Sequence, residues 1–261
     1  MHRSTNLKSF FQTRQTYGIP AIRRDFRAIW RSTTLFLNRN RRICLAVVAV
    51  TLGVAWWLAL TNDHALIKAV RSKRSPELNS FSGALSYWGD FAQYNLGLAA
   101  TIWAAGFWLR SRWLQRLAVA TVMAATLAGL TCNIFRFSLS RPRPQAKATD
   151  GLYGFRGAVQ GWNYHSFPSG HTSTAFGTST PLLVAGGPVG AVVTVFSASV
   201  AWSRIYRGQH FPSDVLVGAM LGVLYGVAAA SGLRELRRRS SRMAYLRRCR
   251  ASKVQESTSS A

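Results

Sequence analysis

The chain has 261 residues and a net charge of +25, with 33 Lys and Arg against 8 Asp and Glu. Its apolar residues fall in long runs separated by basic clusters, a distribution that excludes an ordinary soluble domain. Its three cysteines, Cys44, Cys132 and Cys249, are too few and too scattered for a disulfide framework.

The basic residues crowd the two ends: ten Lys and Arg precede Ile43 and nine follow Leu233. Anionic lipid headgroups attract such clusters beside an apolar run by about 1 kcal/mol per residue. Nucleic acid is the competing partner for so much positive charge. No zinc knuckle or interleaved stacking motif accompanies it, so no nucleic acid is expected.

Residues 1–42 form a basic N-terminal segment. Within it Ile22, Phe26, Ile29 and Trp30 share one helical face, and Arg23, Arg24, Arg27 and Arg31 cover much of the rest. That pattern predicts an amphipathic helix lying in the membrane interface. The first apolar run begins too late for a cleavable signal and reads as a span or signal anchor.

Six spans are predicted in residues 43–233, at about 43–61, 92–109, 114–137, 170–186, 188–203 and 214–232. The fourth and fifth are short and carry Ser, Thr and Gly, which favours close helix packing at the bundle centre. Residues 63–90, with Ala65, Leu66, Ala69 and Val70, suggest a short helix on the outer surface. Residues 234–261 form a basic tail. The expected fold is all-α: a polytopic membrane protein with a six-helix transmembrane bundle.

Lys and Arg counts orient the bundle. Both tails, the Leu109–Gln115 loop with Arg116, and the Gly186–Pro188 turn hold 22 of the 33 basic residues. Both termini are therefore expected in the cytoplasm, in the inner membrane of a bacterium. Three motifs then fall together on the opposite, extracytoplasmic side.

These motifs are Arg136-x6-Arg143-Pro144, Pro168-Ser169-Gly170-His171 and Ser203-Arg204-x5-His210-x3-Asp214. They supply three guanidiniums, two imidazoles and one carboxylate at the ends of apolar runs. Guanidinium forks bind phosphoryl oxygens bidentately and stay charged at working pH. The start of the fourth span offers N–H groups of Ser169 and Gly170 and the Ser169 hydroxyl to an anion. The sequence therefore predicts a phosphate site made of Arg136, Arg143, Ser169, Gly170 and Arg204, with His210, His171 and Asp214 as its catalytic groups.

The order and spacing resemble the signature of the type-2 phosphatidic-acid phosphatase superfamily: Lys-x6-Arg-Pro, Pro-Ser-Gly-His and Ser-Arg-x5-His-x3-Asp. The second and third parts match at every specified position. The first departs once, at Arg136, where the family usually has Lys. That exchange keeps the charge but changes reach and fork geometry.

The resemblance implies an integral membrane phosphatase acting on a lipid phosphate or diphosphate through a phosphohistidine. His210 would be the nucleophile and His171 the acid that protonates the leaving alcohol and then activates water. Asp214 would accept a hydrogen bond from His210 and fix its tautomer. No metal and no cofactor are expected, because the arginines supply the positive charge. Candidate substrates are phosphatidic acid, phosphatidylglycerol phosphate, polyprenyl diphosphate and phosphorylated glycolipids.

A phosphotransferase with a non-water acceptor would use the same residues. A vanadate-dependent haloperoxidase shares the signature, but six spans argue against it. An anion channel would not need His210. A serine hydrolase on Ser169 lacks a Gly-x-Ser-x-Gly elbow. Zinc on His165, His171 and His210 lacks supporting acids.

Outside the motifs, Arg141, Arg156 and Arg207 read as side chains reaching for headgroups. His165 reads as a surface-loop residue. The loop Gln145–Phe167 is the candidate for substrate selection.

Overall fold

The computed structural model describes residues 18–146, 154–158 and 161–259. Residues 1–17 of the N-terminal segment, and 147–153 and 159–160 of the candidate selection loop, lie outside the described residues. Among the described residues the chain is helical, with no strand and a single bridge between Arg141 and His165.

Helix α1, Ile19–Arg39, starts at Gly18 with Pro20 in its first turn, where a missing N–H costs nothing. It buries Asp25, Ile29 and Thr33, one residue per turn along one face. Asp25 pairs with Arg116 at 2.8 Å, and the Thr33 hydroxyl reaches the Ala228 carbonyl at 3.5 Å. The expected apolar face is only partly used, since Phe26 and Trp30 remain exposed. An apolar pattern cannot register an ion pair, and here an ion pair chooses the docked face.

Helix α2, Arg41–Thr61, buries Ala55 alone among its described residues. Its exposed Leu45, Val47, Val50, Trp56 and Trp57 need lipid rather than water around them. Residues 63–90 fold as two helices where one was expected, α3 at Asp63–Ser72 and α4 at Pro76–Trp88. The Ser75 hydroxyl caps α4 by accepting the Leu78 N–H at 3.2 Å. A six-residue π-helical turn, Phe91–Leu96, leads into the twelve-residue α5, Gly97–Trp108.

Helix α6 is Arg112–Leu139, α7 is Gly170–Gly186, α8 is Pro188–Tyr206 and α9 is Pro212–Ser259. The short, hydroxyl-rich α7 occupies the centre, packed against α6, α8 and α9. Gly177 permits that closeness: a Cβ there would lie 2.8 Å from the Ala125 Cα. Ile29, Leu117, Met123, Leu182, Ala229 and Leu233 join α1, α6, α7 and α9 into one apolar core.

Among the described residues four helical stretches are long and apolar enough to cross a membrane: α2, α6, α8 and Pro212–Arg238 of α9. The other two expected spans fall on Phe91–Trp108, a π-helical turn running into α5, and on α7, both shorter than these four. Helix α7 has 17 residues and α5 has 12, below the roughly 20 a crossing helix needs. Helix α9 runs on past the expected end near 232, carrying the described part of the basic tail as continuous helix.

Candidate active site

Six elements converge on the site. Arg136 comes from the last turn of α6, and Arg143 from the loop after it. Gly170 and His171 open α7, and Arg204 ends α8. His210 precedes α9, and Asp214 lies in the first turn of α9. Helix α4 adds Ser86, whose Oγ takes a short hydrogen bond from Arg204 Nη1.

The guanidiniums are held on one side and open on another. Arg136 Nη2 donates to the Pro168 carbonyl at 3.4 Å, while its buried Nε has no partner among the described residues. Arg204 Nε is likewise buried and unpartnered. Arg143 Nε donates to the Trp162 carbonyl at 2.9 Å, and its guanidinium stacks 3.9 Å over the Trp162 ring. Burial, then the nearby Arg136 charge, lowers Arg143 to about 10, so it stays cationic at neutral pH.

Gly170 serves this cluster directly. Any Cβ at Gly170 would collide with Arg136 Nη2. Glycine is required there so that the guanidinium can lie against the start of α7.

His210 is 1% exposed. Its Nδ1 bonds the Ser166 backbone carbonyl at 2.6 Å, which requires Nδ1–H and leaves the Nε2 lone pair available. Burial holds its pKa well below the usual 6.5, and the charges of Arg204, Arg143 and Arg136 add to that. The ring is therefore neutral at physiological pH.

Asp214 differs from expectation. Its Oδ2 stands 3.9 Å from His210 Nδ1, beyond hydrogen-bond reach. That oxygen instead accepts from Ser166 Oγ at 2.6 Å and from the Phe211 N–H at 2.8 Å. The carboxylate thus acts on His210 through Ser166, a contact no motif spacing discloses.

Ser169 also departs from expectation. Its N–H donates to the Asp214 carbonyl at 3.0 Å, and its hydroxyl pairs with the Thr172 hydroxyl at 2.9 Å. The first bond ties the start of α7 to α9 and the second stays within the first turn of α7. His171 Nε2 lies 4.0 Å from Asp90 Oδ1, a carboxylate supplied by the π-helical turn.

Arg141 corrects the sequence reading. It does not reach for headgroups: it is 3% exposed, with Nη1 2.5 Å from Asp214 Oδ1 and Nη2 2.9 Å from Asp63 Oδ2. Burial lowers its pKa, but Asp214 and Asp63 more than offset this and hold it above the usual value. Arg207 is exposed, as expected, and Arg156 lies 5.6 Å from the Tyr164 ring. His165 is half-buried, edge-on to Phe137 at 5.0 Å, rather than free on the surface.

Three of the chain's eight acids, Asp63, Asp90 and Asp214, therefore meet at this site. Their scarcity was the available signal. An acid beside an apolar span is costly and usually functional.

A cavity of about 400 Å³ adjoins the cluster, lined by Asp90, Arg136, Gly170 and His171 together with Phe91, Ala125, Thr126 and Leu130. His210 is not part of that lining. Thr126 and Leu130 also line an apolar groove of about 590 Å³ between α1, α5 and α6. The polar cavity and the apolar groove thus share two wall residues of α6.

Residues 115–238 match the PAP2 superfamily. The chain carries a PAP2-superfamily domain. The lipid A 1-phosphatase of Porphyromonas gingivalis is 31% identical over 125 residues, 46% of this chain and 25% of that protein. The undecaprenyl-diphosphatase BcrC of Bacillus subtilis is 34% identical over 61 residues, 23% of this chain and 32% of that one. The chain spans less than half the length of these relatives. The transmembrane PAP2-type phosphatidylglycerolphosphate phosphatase of Bacillus subtilis shares the fold, with a TM-score of 0.55 and 24% identity over 71% of this chain and 93% of that one. With this domain and its apolar helices, the chain is a multi-pass membrane protein.

Proposed function

We propose that this PAP2 domain hydrolyses a lipid phosphate or diphosphate through a phosphohistidine on His210. The observation that carries the reading is the lock of His210 Nδ1 on the Ser166 carbonyl inside a cluster of three arginines. It presents a neutral Nε2 lone pair where phosphoryl oxygens would be held.

Arg136, Arg143 and Arg204 bind the non-bridging oxygens and offset the charge that spreads over them in an in-line transition state. His210 Nε2 forms a bond to phosphorus as the ester oxygen leaves with the electron pair. That oxygen takes the proton of His171. His171 then removes a proton from water, which attacks phosphorus and breaks the N–P bond, releasing inorganic phosphate. The arginines, not a metal, supply the cationic charge in this scheme.

The relatives whose names specify lipid A or undecaprenyl diphosphate point to amphiphilic substrates. The adjoining cavity and groove suit such a molecule, headgroup at His171 and hydrocarbon chain along α6. Leu130 and Ala118 mark the length of groove on that helix, a rise of about 18 Å. The excess of basic residues at both ends supports cytoplasmic termini, contact of those ends with anionic headgroups, and a site on the outer side of a bacterial inner membrane.

Phosphate release by the detergent-solubilised protein tests the reading. Phosphatidic acid, phosphatidylglycerol phosphate, undecaprenyl diphosphate and phosphorylated lipid A form the panel, with His210→Ala as control. Release from one of them, absent in the control, is expected. Equal release by the control would overturn the assignment.

A further inference from the structure

Asp63 belongs to none of the three motifs and precedes Asp214 by some 150 residues, yet the two carboxylates share one guanidinium. Asp63 is fully buried at the start of α3. Its Oδ1 accepts the Ser213 N–H at 3.0 Å. Its Oδ2 accepts Arg141 Nη2 at 2.9 Å and, by a short bond, the Ser213 hydroxyl. Arg141 Nη1 also takes in Ser213 Oγ at 2.7 Å and Asp214 Oδ1 at 2.5 Å.

The relay continues from Asp214 to the nucleophile. Asp214 Oδ2 accepts Ser166 Oγ, and the Ser166 carbonyl accepts His210 Nδ1–H. The Phe211 ring, next in sequence to His210, lies 4.4 Å beneath the Arg141 guanidinium. A chain of buried contacts therefore joins Asp63 to His210.

Charge counting gives this chain a purpose beyond anchoring α3. One guanidinium and two carboxylates leave one negative charge in surplus. When Nε2 bonds phosphorus the ring, still carrying Nδ1–H, becomes cationic. Asp214 Oδ2 is 3.9 Å from that nitrogen, close enough to stabilise the new charge in a low-dielectric interior. Without Asp63, Arg141 and Asp214 would form a neutral pair, and the stabilisation would be largely cancelled.

Resting on the phosphohistidine reading, we propose that Asp63 is a positioning residue for the reaction. It holds Arg141 and draws off part of its charge, so that Asp214 keeps negative charge for the His210 ring as phosphorus bonds to it.

The test separates transition-state from ground-state binding on the full chain in detergent. Orthovanadate, which bonds to histidine nitrogen in a trigonal bipyramid, reports the first, and inorganic phosphate reports the second. Asp63→Asn keeps the shape and removes the charge. It is expected to weaken orthovanadate about 10- to 100-fold while phosphate affinity changes by less than about threefold. Asp63→Glu, which keeps the charge but displaces it by a methylene, is expected to lose about three- to tenfold for orthovanadate alone.

The Glu variant carries the test if the Asn variant does not accumulate folded. Equal losses for both anions, or no loss for either, would reduce Asp63 to a structural staple and overturn the proposal. A wild-type protein that binds phosphate but shows no tighter hold on orthovanadate would overturn the phosphohistidine reading itself.

Discussion

His210 and Asp214 are four residues apart in sequence but not hydrogen-bonded: the Asp214 oxygen stands 3.9 Å from His210 Nδ1, and the Ser166 carbonyl takes that proton at 2.6 Å. The tautomer is thus set by a main-chain oxygen, which no substitution removes. The carboxylate adjusts the position of that oxygen through the Ser166 hydroxyl. Ser166→Ala should therefore retain the tautomer but loosen its geometry. Turnover should fall about tenfold with KM within about threefold of normal, measured by steady-state phosphate release. Full activity would make the Ser166–Asp214 bond irrelevant to catalysis.

Gly170→Ala places a methyl group against Arg136 Nη2. Displacing one of the three guanidiniums proposed to bind phosphate should lower kcat/KM by about 10²-fold. Arg136→Lys restores the residue usual in the PAP2 pattern and should cost less than about tenfold. In the double variant the slimmer ammonium should recover part of the Gly170→Ala loss, so the two effects should not add. Strict additivity in the four-membered cycle would remove the proposed steric link.

Buried His210 stays neutral in the folded protein, whereas in the unfolded chain it titrates near 6.5. Below about pH 6.5 the unfolded state binds a proton that the folded state does not. Stability must then fall as pH drops from 6.5 towards 5, and this contribution is flat above 6.5. The thermal midpoint of the wild type should decline more over that interval than that of His210→Gln. Parallel declines would mean that His210 is not held neutral.

Arg141→Leu leaves Asp63 and Asp214 buried without their cation. Removing one partner from a buried ion pair costs about 3–5 kcal/mol. A fall in Tm of roughly 6–20 °C is expected in detergent, from the usual shift of about 2–4 °C per kcal/mol. A change of a degree or less would contradict the buried triad.

The apolar groove shares Thr126 and Leu130 of its wall with the polar cavity. Val122→Trp, at a position that lines the groove but not the polar cavity, should obstruct a hydrocarbon chain without touching the headgroup site. Its kcat/KM should drop about tenfold on a long-chain lipid phosphate, equivalent to roughly two methylenes of lost burial. A dihexanoyl analogue should be hydrolysed as by the wild type. Equal losses on both would place the chain elsewhere.

The three motifs made the residues that meet at the candidate site legible, because arginines and histidines at the ends of apolar runs have few other reasons to be there. The four longest apolar helices were legible for the same cause. Arg141 was misread because its partner lies 78 residues upstream, and periodicity carries no record of such a pairing. Asp63 and Ser86 were missed because α3 and α4 look like surface helices, and only their contacts with Arg141 and Arg204 give them a place at the site. The part Asp25 plays beside Ile29 in docking α1 depended equally on a distant Arg116.

The central claim is that phosphorus passes through His210. Rapid acid-free quenching of the solubilised protein with a ³²P-labelled lipid phosphate, followed by alkaline digestion and mass spectrometry, measures it directly. The account predicts an alkali-stable, acid-labile label on His210 that forms before phosphate release and is absent in His210→Ala. Label on Ser169 instead, or phosphate release at the normal rate with His210 never labelled, would contradict it.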